Sequence, residues 1–180
     1  MYYSAIEIAS INNGEGIRCV LWESGCTHHC KNCQNKQTWD KEYGKKFGEK
    51  ELDFILNYLS NDLVDGITFS GGDSLAPFNI KDTLEIVKTI RDKYKNKKDI
   101  WVYTGYTFEE VKQLKYGKEI LDNVDTIVDG RYVDELRDLT LEFRGSSNQN
   151  IWKKINNVWV NTTDSLIPMG KPVGFSPQIT

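Results

Sequence analysis

Three absences narrow the chain before any motif is considered. No stretch approaches the ~20 consecutive apolar residues that span a bilayer, and the opening Met1-Tyr2-Tyr3-Ser4-Ala5-Ile6-Glu7 has no basic segment leading into an apolar core. The expectation is a soluble, cytoplasmic protein with no membrane partner. There is also no basic stripe: 23 Lys and Arg are mixed among 26 Asp and Glu, for a net charge of -3, which argues against nucleic acid as a direct partner. Cysteine is the third scarcity. Only Cys19, Cys26, Cys30 and Cys33 occur, and three of them fall within eight consecutive residues. A disulfide framework spreads its cysteines through a small secreted chain, whereas a tight, odd-numbered cluster points to metal or redox chemistry. Cys19 lies apart, in the apolar run Arg18-Cys19-Val20-Leu21-Trp22, and is expected to pack as a small hydrophobe.

The 180 residues, 39% of them hydrophobic, suffice for one domain with its own core. Ile17 to Glu23 has the composition of a first strand and runs straight into Ser24-Gly25-Cys26, so the cysteine cluster belongs on a loop at a strand's C-terminal end. Helical spacing of Leu52, Ile55, Leu56, Leu59 and Leu63 precedes a strand at Gly66 to Ser70 that ends in Gly71-Gly72. A second helix is marked by Ile80, Leu84, Val87, Ile90 and Tyr94, with Asn79 and Asp82 as its cap, and Ile100 to Tyr103 is the next strand. Thr107-Phe108-Glu109-Glu110 has capping-box spacing, which predicts a third helix reaching toward Tyr116; Asp125 to Asp129 follows as a strand. Alternating strands and helices imply a parallel sheet with right-handed crossovers. Four or five such units fall short of the closed eight-fold barrel, so the fold class expected is α/β, an open partial (βα) barrel over residues 1–160. A hairpin is expected about Asn156-Asn157, and residues 161–180, with Pro168, Gly170, Pro172, Gly174 and Pro177, form an irregular tail. Trp101, Trp152 and Trp159 are expected in the core, Lys93 to Lys98 at a solvated helix end, and Asp129 as either a turn residue or a functional carboxylate.

The chemistry is concentrated in Cys26-Thr27-His28-His29-Cys30-Lys31-Asn32-Cys33, a C-x3-C-x2-C spacing. Three thiolates on a four-iron cluster leave one iron open, whereas structural zinc is normally closed by a fourth protein ligand. Zinc completed by His28 or His29 is the alternative. Otherwise these histidines are solvated or support the ligands.

This spacing after a first strand resembles the radical S-adenosylmethionine enzymes. The resemblance implies that Cys26, Cys30 and Cys33 are both the metal ligands and the catalytic centre, holding a [4Fe-4S] cluster whose open iron chelates the amino and carboxylate groups of S-adenosylmethionine. It assigns cofactor binding to Asn32, Cys33 and Gln34 and to Gly71, Gly72 and Asp73, where the glycines of Ser70-Gly71-Gly72-Asp73 would let the backbone approach an amino-acid ammonium. The residue before the last cysteine is often aromatic in these enzymes; here it is Asn32.

A narrower resemblance rests on Asn13-Gly14-Glu15-Gly16-Ile17-Arg18, the cysteine loop with Asn35 and Thr38-Trp39, Ser70 to Leu75, Tyr103-Thr104-Gly105-Tyr106, Asp129-Gly130-Arg131-Tyr132 and Arg144-Gly145-Ser146-Ser147-Asn148-Gln149. Together these look like the activating proteins of anaerobic ribonucleoside-triphosphate reductases. That family implies a glycyl-radical reductase subunit as partner and flavodoxin or ferredoxin as electron donor. Activation of another glycyl-radical enzyme, radical chemistry on a small molecule, and a non-catalytic zinc or iron–sulfur module stand as alternatives.

Overall fold

The computed structural model describes residues 1–163. The chain begins with a strand the apolar pattern did not suggest: β1, Tyr2–Ser10, pairs antiparallel with β2, Arg18–Glu23. The segment expected to be first is therefore second. On its outer side β1 is paired only at Tyr2 and Tyr3, and it is buried mainly at Tyr3 and Ser10, so its sequence lacks the continuous apolar run that marks β2.

After β2 come the cysteine loop, the two-residue strand β3 (Lys45–Lys46) and helix α1 (Glu49–Leu59). Then follow β4 (Gly66–Gly71), α2 (Ile80–Tyr94), β5 (Asp99–Tyr103), α3 (Phe108–Gln113), α4 (Gly117–Asn123) and β6 (Thr126–Asp129). β7 (Asn150–Ile155) and β8 (Val158–Asn161) close the described chain. All eight strands form one open sheet in the order β3-β1-β2-β4-β5-β6-β7-β8. Only β2, β4, β5 and β6 run parallel; both flanks are antiparallel, so the sheet is mixed where a parallel one was expected.

The four parallel strands are neighbours in chain order, so every right-handed crossover lays its helix on the same face. That face is the main core: Leu21, Ile67, Phe69, Ile100, Val102 and Ile127 from the strands meet Ile55, Leu59, Leu84, Val87 and Ile120 from the helices. Each fully buried side chain of this size contributes about 1.5–3 kcal/mol. The alternate strand positions point the other way. Arg18, Thr68 and Trp101 are buried there, and Trp101, Val128 and Ile151 form a second, smaller cluster against Tyr103 and Phe143.

Several local expectations change. α1 ends at Leu59, leaving Leu63 outside the helix and 74% exposed. Asn79 sits at the start of α2 but makes no capping bond; its amide donates to the Ser24 and Asp73 carbonyls, at 2.9 and 3.0 Å. Asp82 pairs instead with the amino group of Met1. The capping box at Thr107 and Glu110 forms as expected, yet α3 stops at Gln113 because the chain turns through a left-handed Tyr116 into α4. Lys98 is buried, its Nζ donating to the carbonyls of Asn61 and Val64 at 2.9 and 2.6 Å, so the solvated run ends before it. Trp101 is fully buried, while Trp152 and Trp159 are partly buried against Phe108. The hairpin turns at Asn156 and Asn157, both with positive φ, as a two-residue turn between twisted strands requires. Asn161 is the last residue of β8, and Thr162 donates its N–H to Ile151, so regular structure continues past residue 160. The remainder of the expected tail, 164–180, lies outside the described residues.

Candidate functional site

The C-terminal ends of β2, β4, β5 and β6 lie side by side, which brings four loops together: the cysteine loop, Gly71-Gly72-Asp73, Thr104-Gly105-Tyr106 and Gly130-Arg131-Tyr132. This is the end of a parallel sheet where ligand-binding residues collect in open α/β folds.

Asp73 ties three of these loops together. Its carboxylate is buried, and each oxygen is used twice: Oδ1 accepts from the Leu75 N–H at 2.8 Å and the Thr104 hydroxyl at 2.9 Å, and Oδ2 accepts from the Gly105 N–H at 3.1 Å and faces His28 Nε2 at 2.5 Å. His28 therefore supports the cysteine loop, its side chain 4% exposed and its ring edge-on to Tyr106 at 4.7 Å. Gly105 leaves the room that ring needs, since a Cβ there would collide with it.

Gly72 has the same purpose. Its N–H donates to the Glu23 carbonyl and that of Asp73 to the Gly25 carbonyl, both at 2.8 Å, and an added Cβ would run into Gly25. The close approach expected of this glycine is thus made to the cysteine loop itself. Asn35 completes the seam by donating its amide to the Gly71 carbonyl at 3.3 Å.

Cys26, Cys30 and Cys33 are free thiols, each partly buried. Burial is the main reason the Cys26 and Cys30 thiols are held above their ordinary pKa. Backbone N–H groups of His28 at Cys26 and of Tyr132 at Cys30 work the other way, favouring the thiolates. Cys33 Sγ receives the Asn35 N–H at 3.4 Å. Among the described residues no three His, Cys, Asp or Glu side chains converge as a single metal ion would require. Cys19 is fully buried in the core, with its thiol pushed up to about 12 chiefly by burial.

Asn32, in a left-handed conformation, donates to Asp134 Oδ2 at 2.7 Å; Tyr132 donates to the other oxygen of that carboxylate at 2.9 Å. Gln34 and Cys33 line a cavity of about 400 Å³ on the face opposite the helices, together with Asn35, Ser70, Tyr103 and Arg144. Gly71, Gly72 and Asp73 lie beneath the cysteine loop, not in that lining. A larger groove of about 750 Å³ lies elsewhere, among Arg91, Asp122 and Lys154, and contains no cysteine.

The chain matches the 4Fe-4S single cluster domain family over residues 12–152. It is 38% identical to the anaerobic ribonucleoside-triphosphate reductase-activating protein of Enterobacteria phage T4 over 159 residues, covering 88% of this chain and 98% of the relative. The protein of that name from Escherichia coli K12 is 41% identical over 151 residues, covering 83% and 96%, and that of Pasteurella multocida 39% over 155 residues, covering 85% and 98%. The chain belongs to this activating-protein family.

Within the family frame, the structure explains the Arg144-to-Gln149 block. Gln149 Oε1 accepts from the N–H groups of Gly145 and Ser146 at 2.9 and 3.1 Å, its Nε2 donates to the Gly130 carbonyl at 2.9 Å, and Asn148 donates to that of Arg131 at 2.8 Å. The block fastens the returning chain to the loop after β6. Asp129, left open by its sequence, is structural: it is buried and accepts from Phe108 N–H at 2.7 Å, Asn150 N–H at 3.1 Å and the Trp152 indole at 3.0 Å. Sequence reasoning missed Glu23 and Arg144 as participants and left His28 between a solvated and a supporting role. Glu23 is fully buried, its carboxyl raised to about 8 by burial against the opposing Thr83 hydroxyl. His28 acts through Asp73, 45 residues away, and Arg144 enters the cavity from a loop read only as a family signature. Each depends on contacts between distant segments, which a local pattern does not register.

Proposed function

We propose that the chain is a radical S-adenosylmethionine activase that installs a glycyl radical on an anaerobic ribonucleoside-triphosphate reductase. The observation that carries this reading is the cysteine loop: three free, partly buried thiols at the end of the first parallel strand, clamped through His28 and Asp73 to the Gly-Gly turn and opening beside a cavity large enough for a nucleoside-sized ligand. The donor set suits an iron–sulfur cluster, because each thiolate can hold one iron while the fourth stays open. The sequential parallel strands of an open sheet support a partial (βα) barrel of the radical type. Residues 1–160 would form that domain, and the cytoplasm is the compartment that keeps such thiols reduced.

Cys26, Cys30 and Cys33 would hold the cluster, with Cys33 and Gln34 at the cavity wall beside the cofactor. Asp73, saturated by its four partners, and Asn32, committed to Asp134, would act by positioning the loop rather than by touching the cofactor. When bound, the pair would supply one-electron reductive cleavage of the sulfonium, releasing methionine, and hydrogen abstraction from a glycine Cα. The electron must come from a one-electron donor such as flavodoxin or ferredoxin. The reductase follows from the names of the relatives, and the open face of the sheet leaves room for a polypeptide loop to reach within about 3–3.5 Å of the reacting carbon.

Protein reconstituted anaerobically should bind about four irons per chain, and Cys30→Ala should abolish this. Given reductant, S-adenosylmethionine and the reductase, it should generate a glycyl-radical doublet by electron paramagnetic resonance, with deuterium from the target glycine Cα recovered in 5′-deoxyadenosine. Stoichiometric zinc without iron uptake overturns the whole reading. Cofactor cleavage without a reductase radical overturns only the substrate.

A further inference from the structure

Arg144 is the one cationic side chain in the lining of the cavity beside Cys33 among the described residues. Its Nη1 donates to the Gln149 carbonyl at 3.0 Å, and the rest of the guanidinium is uncommitted: Nε is buried with no acceptor, and no described residue bonds Nη2 or forms an ion pair with Arg144. The carboxylate of Asp138 lines the same cavity, but its Oδ1 accepts both the N–H and the hydroxyl of Thr140, at 2.8 and 2.7 Å. A buried donor without a partner is costly, and a guanidinium fork matches the geometry of a carboxylate.

We infer that Arg144 receives the carboxylate of the amino-acid end of S-adenosylmethionine, an inference that rests on the cofactor reading above. A single cation in the wall fits a ligand with one anionic group and disfavours a polyphosphate, whose several charges would find one partner and the opposing Asp138. The remaining lining fits the rest of the molecule. Tyr103 and Tyr132 offer aromatic surface, and Asn35 and Ser70 offer hydrogen bonds, at the mouth of strands whose loops carry the thiols. The Arg144-to-Gln149 block thus has two functions: Gln149 folds the loop, and Arg144 projects from it toward the ligand.

The test compares two ligands on anaerobically reconstituted protein by calorimetry: S-adenosylhomocysteine, which has the amino-acid carboxylate, and 5′-methylthioadenosine, which lacks the amino-acid moiety. Arg144→Gln should weaken S-adenosylhomocysteine about ten- to hundredfold, the scale of a lost charge-assisted hydrogen bond, while leaving 5′-methylthioadenosine within about twofold. Arg144→Lys should recover part of the difference. A purely structural role would weaken both ligands alike, and that result overturns the inference. A second measurement needs no substitution. In the wild-type protein, S-adenosylhomocysteine should shield Arg144 from phenylglyoxal, read by mass spectrometry, and 5′-methylthioadenosine should not; equal shielding, or none, also overturns it. If wild-type protein loads iron yet binds neither ligand, the cofactor reading falls as well; if it binds both and Arg144→Gln changes neither, only the assignment of Arg144 falls.

Discussion

Two arginines mark opposite ends of the parallel strands and are treated in opposite ways. Arg18, at the N-terminal end of β2, is fully buried and every part of its guanidinium is used: Nε donates to Thr68 Oγ1, Nη1 to the Glu15 carbonyl and Asp99 Oδ2, and Nη2 to the carbonyls of Ile67 and Asp99. Trp101 covers its face, 5.3 Å from the ring centroid. Arg144, at the C-terminal end, makes one bond and faces a cavity. A saturated cation staples strands; an unsaturated one is available to a ligand. The same contrast separates the carboxylates. Asp99 and Asp73 are spent on the protein's own donors, whereas at the loop end the thiols and Arg144 keep unused bonding capacity among the described residues.

The sharpest way to break this comparison is to remove the saturated arginine. Arg18→Met should cost roughly 3 kcal/mol, because it strands buried acceptors and the partly exposed Asp99, whereas Arg144→Met should stay within about 0.5–1 kcal/mol. Urea denaturation of the two variants reads the difference directly. Equal losses would mean that Arg144 is as structural as Arg18.

Gly72→Ala tests whether the loop end is assembled by close backbone contact. The new Cβ would press on Gly25, so a loss of about 1–3 kcal/mol is expected, with reduced iron loading because the displaced segment carries Cys26. Full iron content with unchanged stability would show that the Gly-Gly turn does not set the cysteine loop.

A third test concerns Glu23, directly beneath that loop. Its carboxyl rises from 4.5 to about 8 on burial, so between these values the folded chain holds a proton that the unfolded chain has released. Its stabilising contribution is complete below about pH 4.5 and is lost as pH rises toward about 8. Glu23→Gln, which keeps a polar partner for Thr83, should flatten that decline and raise the urea midpoint at pH 7 to 8. An identical pH slope in both proteins would place the ionisation elsewhere.

Much of this was legible in the sequence. The strands around Val20, Val102 and Ile127 carry short apolar runs, as strands buried on both faces do, and that around Phe69 is broken only by Thr68; the Thr107 box and the Asn156-Asn157 turn are local chemistry with local outcomes. β1 was not legible because a strand buried at only two of its nine positions carries little apolar pattern, and the capping role expected of Asn79 failed because its side chain is turned to donate its amide to the Ser24 and Asp73 carbonyls. Lys98 looked like its solvated neighbours until two carbonyls from the loop after α1 captured it.

What the sequence determined by itself was the donor set of one loop: three thiols within eight residues, on a connection following a strand, because residue type and spacing are properties of contiguous residues. Tertiary structure alone decided which polar groups remain available to act. Asp73 became an anchor through His28, Thr104 and Gly105; Arg18 was consumed by Thr68 and Asp99; Arg144 kept a cavity before it. Saturation of a donor or acceptor depends on partners tens of residues away, so it exists only once the strands have paired and their ends have met.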